Sequence, residues 1–75
     1  MQDDSVIYVH NVPIHIRRLP SGDLSVWHPF NDRIRQIVEP ICRHRGYWKP
    51  AYRNWIVFRP FAEDVCNALR VANDI

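Results

Sequence analysis

Two tryptophans seven residues apart, Trp48 and Trp55, bracket the segment Lys49-Pro50-Ala51-Tyr52-Arg53-Asn54. Proline fixes φ and withholds a backbone donor, so this stretch favours a chain reversal over a continuing strand or helix. If Pro50 to Arg53 form a four-residue loop, Lys49 faces Asn54 and Trp48 faces Trp55 across an antiparallel pair. The whole hairpin then runs from Tyr47 to Phe58, and Pro60 closes it. A chain built around such a hairpin is committed to an antiparallel sheet. The hairpin also joins flat rings to positive charge, a combination able to stack bases and hold phosphates. An ordinary hydrophobic hairpin with a solvated turn would use the same residues. The tryptophans are expected inside, leaving Tyr47, Lys49, Ile56 and Phe58 on the opposite face. The reverse assignment stays open, because both faces are aromatic.

The other segments suit such a sheet. Val6 to Val9 is a short β-branched and aromatic run, and Ile14 to Leu19 alternates as a strand. Pro20-Ser21-Gly22-Asp23 reads as a turn, after which Leu24 to His28 returns. A two-residue Ser21-Gly22 turn predicts Leu19 opposite Leu24, Ile16 opposite Trp27 and Arg17 opposite Val26. Ile14, Ile16 and Trp27 would then face the core, with His15, Arg17 and His28 beside Val26 on a mixed face. Ile34, Ile37, Val38, Ile41 and Cys42 repeat at the spacing of one buried helical stripe. Asn31 or Asp32 can cap its start, and Gly46 is placed for a left-handed C-terminal cap. Arg43, His44 and Arg45 are expected in the last turn, where cations complement the helix dipole. Pro40 falls on the polar side of the pattern and is expected to kink the helix without ending it. Phe61, Val65, Ala68, Leu69 and Ala72 form a second stripe, with Glu63 and Asp64 in its first turn. The expected fold is α+β: a small antiparallel sheet packed against two helices, in the order β-β-β-α-β-β-α.

Seventy-five residues suffice for one domain, near the lower limit for a self-sufficient core. A hydrophobic fraction of 47% indicates a folded chain, and residues 1–4 are expected to be a disordered N-terminus. The first residues lack the basic and apolar regions of a signal peptide, and no apolar run is long enough to cross a bilayer, so a cytoplasmic protein with no membrane partner is expected. Cys42 and Cys66 both fall on helical apolar positions and are expected to be reduced core thiols. No ligand spacing accompanies them, so no metal or other cofactor is expected. The net charge is only +2, but its distribution is uneven. Acids gather at the ends, while the middle carries nine of the ten cations, almost all arginine. Arginine suits bidentate phosphate contacts and stacking on rings.

The second half resembles the HARP domain, the small substrate-recognition module of Swi/Snf-type annealing helicases, and its bacterial and phage relatives. The residues that carry the likeness are Leu24 to Phe30, the helix Ile34 to Cys42, the hairpin Trp48 to Trp55, the strand Ile56 to Phe58, and Val65 to Leu69. The hairpin is similar to the family's W-D-P-x-x-K-x-W, although Lys49 stands where relatives often have aspartate or asparagine. That exchange gives up a side-chain bond supporting the turn and adds charge. The resemblance implies recognition of single-stranded or branched DNA, without the helicase motor that would remodel it.

The candidate contacts are Tyr52 for base stacking and Lys49, Arg53 and Arg59 around it for phosphates. Arg43 and Arg45 end the helix that leads into the hairpin and are expected to extend the same patch. Arg17 and Arg18 form a separate basic spot. Such contacts would be salt-dependent and largely indifferent to sequence. Catalysis is not expected: both cysteines read as buried, and His10, His15, His28 and His44 are dispersed with no acid placed to orient them. No phosphate-cradling glycine loop or small-molecule site is evident, since only Gly22 and Gly46 exist. A protein-interaction module or homodimer is the alternative, because nine aromatics on so small a chain can leave an apolar patch exposed.

Overall fold

The computed structural model describes residues 4–73. Asp4 opens the first strand, and the rest of the expected disordered N-terminus lies outside the described residues. The elements are β1 (Asp4–Val9), β2 (Val12–Arg18), β3 (Leu24–Trp27), α1 (Asp32–Cys42), β4 (Gly46–Lys49), β5 (Asn54–Val57) and α2 (Ala62–Ala72), with one turn of 3₁₀ helix at Arg59–Phe61 leading into α2. The fold is α+β in the expected order β-β-β-α-β-β-α. All neighbouring strands are antiparallel, in the spatial order β1-β2-β3-β5-β4. The connection through α1 places β4 at the far edge, and β5 returns to fill the gap beside β3.

Register decides what each face carries. The β4–β5 hairpin pairs Trp48 with Trp55 and Lys49 with Asn54, as its proline turn predicts. The β2–β3 hairpin differs from expectation by one residue: Ile16 faces Val26, Arg17 faces Ser25 and His15 faces Trp27. The cause is a wider turn, in which Leu19 N–H donates to Asp23 O and Gly22 N–H to Leu19 O, both at 2.8 Å. Gly22 holds φ at +93°, where a side chain would be strained. A one-residue shift turns every side chain to the other face. Leu24 and Val26 therefore join Ile14 and Ile16 in the core, and Trp27 moves to the opposite side.

Both helices cover one face. Ile34, Val38 and Cys42 of α1 meet Ala62, Val65 and Leu69 of α2 and the strand residues Ile7, Val9, Ile14, Ile16, Leu24, Val26 and Val57 in one cluster. In α2 the buried stripe starts at Ala62; Phe61, expected in it, lies in the 3₁₀ turn and is exposed. Asn31 caps α1 by accepting from Ile34 N–H at 3.1 Å. The helix continues past the exposed Pro40 to Cys42. Its left-handed exit residue is His44 at φ 68°, not Gly46. Gly46 instead opens β4 opposite Val57, so close that a Cβ there would lie 2.0 Å from the Ile56 carbonyl oxygen. Arg43, His44 and Arg45 follow the last turn of α1, where Arg45 Nη1 still satisfies the Ile41 carbonyl at 2.7 Å. Cys42 and Cys66 are free thiols, Cys42 fully buried and Cys66 half-buried. Burial pushes the Cys42 thiol up to about 12, with Arg45 only partly offsetting it, and burial also raises Cys66.

Candidate nucleic-acid interface

The sheet's second face carries no helix among the described residues. By strand alternation it presents Asp4, Val6 and Tyr8 of β1, Pro13, His15 and Arg17 of β2, Ser25 and Trp27 of β3, Asn54 and Ile56 of β5, and Tyr47 and Lys49 of β4. Phe58, just past β5, continues it: its ring lies 5.9 Å from that of Tyr47. His15 and Trp27 meet edge-on across β2 and β3 at 5.2 Å. Tyr8, Trp27, Tyr47 and Phe58 all remain more than one-third exposed. Beneath them Ile56 and Ser25 are buried side by side, and Asn54 Nδ2 donates to Ser25 Oγ at 2.8 Å, fastening β5 to β3. The rings thus stand on a braced floor. Asp4 is the one acid on this face among the described residues, and it pairs with Arg17 at 3.5 Å. The face is aromatic with a surplus of positive charge.

The hairpin tip adjoins this platform. Tyr52 is 66% exposed, and Lys49 Nζ lies 5.2 Å from the centre of its ring. Tyr52 N–H bonds Lys49 O and Arg53 N–H bonds Pro50 O, closing the loop. Arg53 holds φ at 53°, which turns it out of the hairpin and leaves it exposed. Lys49, Tyr52 and Arg53 therefore form one group.

Arg59 does not belong to it. It follows Val57, whose partner is Gly46, whereas the tip begins at the Lys49–Asn54 rung. Those rungs are three residues apart, roughly 10 Å at the rise of a strand, and Arg59 lies further on. Its N–H bonds the Asp23 carboxylate at 2.9 Å, and its side chain packs over Gly22. Arg18 reaches the same turn, donating to Gly22 O at 3.0 Å, so Arg18 and Arg59 make a second basic spot at the opposite end of the sheet. Arg18 is thereby parted from Arg17, which faces the platform. Arg43 and Arg45 do not extend the tip either: Arg43 is ion-paired with Glu39, and Arg45 is turned back onto α1.

The two hairpin tryptophans lie on the covered face. Trp55 packs against the core, while Trp48 stays 42% exposed, and the two rings meet at 5.7 Å and 66°. With Trp27, Phe30, Pro50 and Arg53 they border a groove of about 800 Å³ that runs along the first turns of α1.

The sequence reading found the tip but missed Tyr8, and it placed Trp27 in the core. The signal for Trp27 was present. Leu24 and Val26 alternate with Ser25 and Trp27, and only the wider turn lets the two aliphatic residues share a face with Ile14 and Ile16. Among the described residues no three of His, Cys, Asp and Glu converge as metal ligands, and no helix is long and apolar enough to cross a membrane. The chain matches no protein-family model, no curated protein and no solved structure.

Proposed function

We propose that this domain is a non-catalytic nucleic-acid-binding module that holds single-stranded or branched DNA on the open face of its sheet and on the adjoining hairpin tip. The observation that carries the reading is the set of exposed rings, Tyr8, Trp27, Tyr47 and Phe58, distributed across a helix-free face whose one acid among the described residues is already paired. Every base has a π-face, so such a platform binds strands whose bases are unpaired, with little regard for sequence. Lys49 and Arg53 at the tip supply phosphate contacts, while Arg17 at the other end is engaged by Asp4. The likeness of the Trp48 to Trp55 hairpin to the HARP pattern points the same way. Arg18 and Arg59 take no part in this contact, because they lie at the far end of the sheet, nor do Arg43 and Arg45, which follow α1 and are engaged by its Glu39 and Ile41.

The test is fluorescence anisotropy with labelled single-stranded, duplex and forked DNA at low and physiological salt. Binding to single strands or forks that weakens steeply with salt, and is lost in Tyr47→Ala, is the expected result. Absence of binding at low salt, where a basic surface attracts most strongly, would overturn the reading. A protein partner or a second copy of the chain on the same rings would then be its replacement.

A further inference from the structure

The groove on the helix side of the hairpin is separate from the platform but shares its rim. Trp27 belongs to the open face by register and also borders the groove, and Arg53 and Pro50 carry the tip from one to the other. Trp48 and Trp55, set at 66°, form two aromatic walls, and Phe30 stands exposed at the edge. Phe30 is 95% exposed, so its ring is open to a ligand. The charges along the groove select among occupants. Glu39 is held by Arg35 on one oxygen and Arg43 on the other, so its carboxylate is not free for a cationic ligand. Asp32, in the first turn of α1, is the one acid along the groove that enters no salt bridge among the described residues. Arg53 enters none of the salt bridges among the described residues and stands at the rim. A neutral planar group attached to an anion fits this arrangement: rings for the plane, Arg53 for the anion.

We infer that the groove receives one unpaired nucleobase from the strand lying on the platform, stacked against Phe30 and Trp48, with Arg53 on the phosphate that links the two sites. The inference rests on the reading proposed above and adds a second subsite to it. A base can enter only if it is out of its pair, so the groove selects unpaired strands over blunt duplexes.

The experiment is anisotropy titration of a short labelled oligothymidylate with the wild type, Phe30→Ala, Trp48→Ala and Tyr47→Ala. Phe30 is almost wholly exposed, so its removal leaves the thermal melting temperature unchanged and the measurement interpretable. Phe30→Ala is expected to weaken oligothymidylate binding by roughly 5- to 100-fold, the loss of one stacked base, with the salt dependence unaltered. Removing one base from the oligonucleotide at the position the groove takes should cost the wild type a similar factor and Phe30→Ala nothing more. If Phe30→Ala and Trp48→Ala bind as the wild type while Tyr47→Ala fails, the groove inference falls and the platform stands. If the wild type binds no oligothymidylate, the platform reading falls and the groove inference with it.

Discussion

The two faces of the sheet both carry apolar side chains, but of different kinds and differently exposed. On the covered face β-branched and aliphatic side chains are closed over by α1 and α2, and Val9, Ile14, Val26 and Val57 are wholly excluded from water. On the open face the apolar area comes as rings, and most of them stay half in solvent. The difference lies in what each face gives up when a side chain is removed. A buried aliphatic group loses its transfer energy and leaves a cavity. A half-exposed ring loses little from the fold but removes a surface that a flat ligand can cover. Stability resides on the covered face, and the proposed function places recognition on the open one.

The comparison breaks most visibly in the core. Leu69→Ala should cost about 2–5 kcal/mol in chemical denaturation, a large share of the stability of a domain this size. Trp27→Ala or Tyr47→Ala should instead cost about 1 kcal/mol or less of stability, within the range of a cross-strand aromatic pair, while weakening single-strand binding by about 1–3 kcal/mol. A Tyr47→Ala protein that unfolds as readily as Leu69→Ala would erase the distinction. Arg53→Gly sharpens it further. Glycine relieves the positive φ, so stability should hold or rise by about 1 kcal/mol. The salt dependence of binding should meanwhile fall by about 0.7 in slope, one phosphate contact on a single strand.

The smallest effect at neutral pH concerns Cys42. Its thiol titrates higher in the folded chain, about 12 against the ordinary 9.0, so the folded state holds its proton longer. The associated stability is complete below pH 9 and is lost as pH rises from there toward 12. Cys42→Ala should flatten this alkaline decline in a pH series of denaturation curves. Thiol labelling of the native protein near neutral pH should likewise spare Cys42, which is buried and protonated, and reach the half-buried Cys66 sooner.

The sequence made the helices and the tryptophan hairpin legible for definite reasons. Asn31 and the Ile34, Val38, Cys42 stripe are local signals, and Pro50 fixes a loop of one length. The β2–β3 hairpin was less legible because Pro20-Ser21-Gly22-Asp23 supports turns of more than one length. The choice is made by a distant contact, the Asp23 carboxylate on Arg59 N–H, and by burial of Leu24 and Val26. That one-residue difference moved Trp27 from the core to the platform. Arg43, Arg45 and Arg59 looked like neighbours of Lys49 because they are close in sequence. A strand pair separates its ends in space, and Gly46 opposite Val57 fixes those cations at the end away from the tip. Gly46 itself was read as a cap from its distance to the helix, whereas strand-to-strand closeness is what excludes a side chain there.

The most direct test of the division between the faces is amide chemical-shift mapping during titration with a short single-stranded DNA at low salt. The largest shifts should fall on the open-face rows, at Tyr8, His15, Trp27, Tyr47 and Phe58, and at Lys49 to Arg53, with the α2 residues Val65 and Leu69 unmoved. Shifts confined to the helices, or to Arg18 and Arg59 at the far end of the sheet, would contradict the assignment of recognition to the open face.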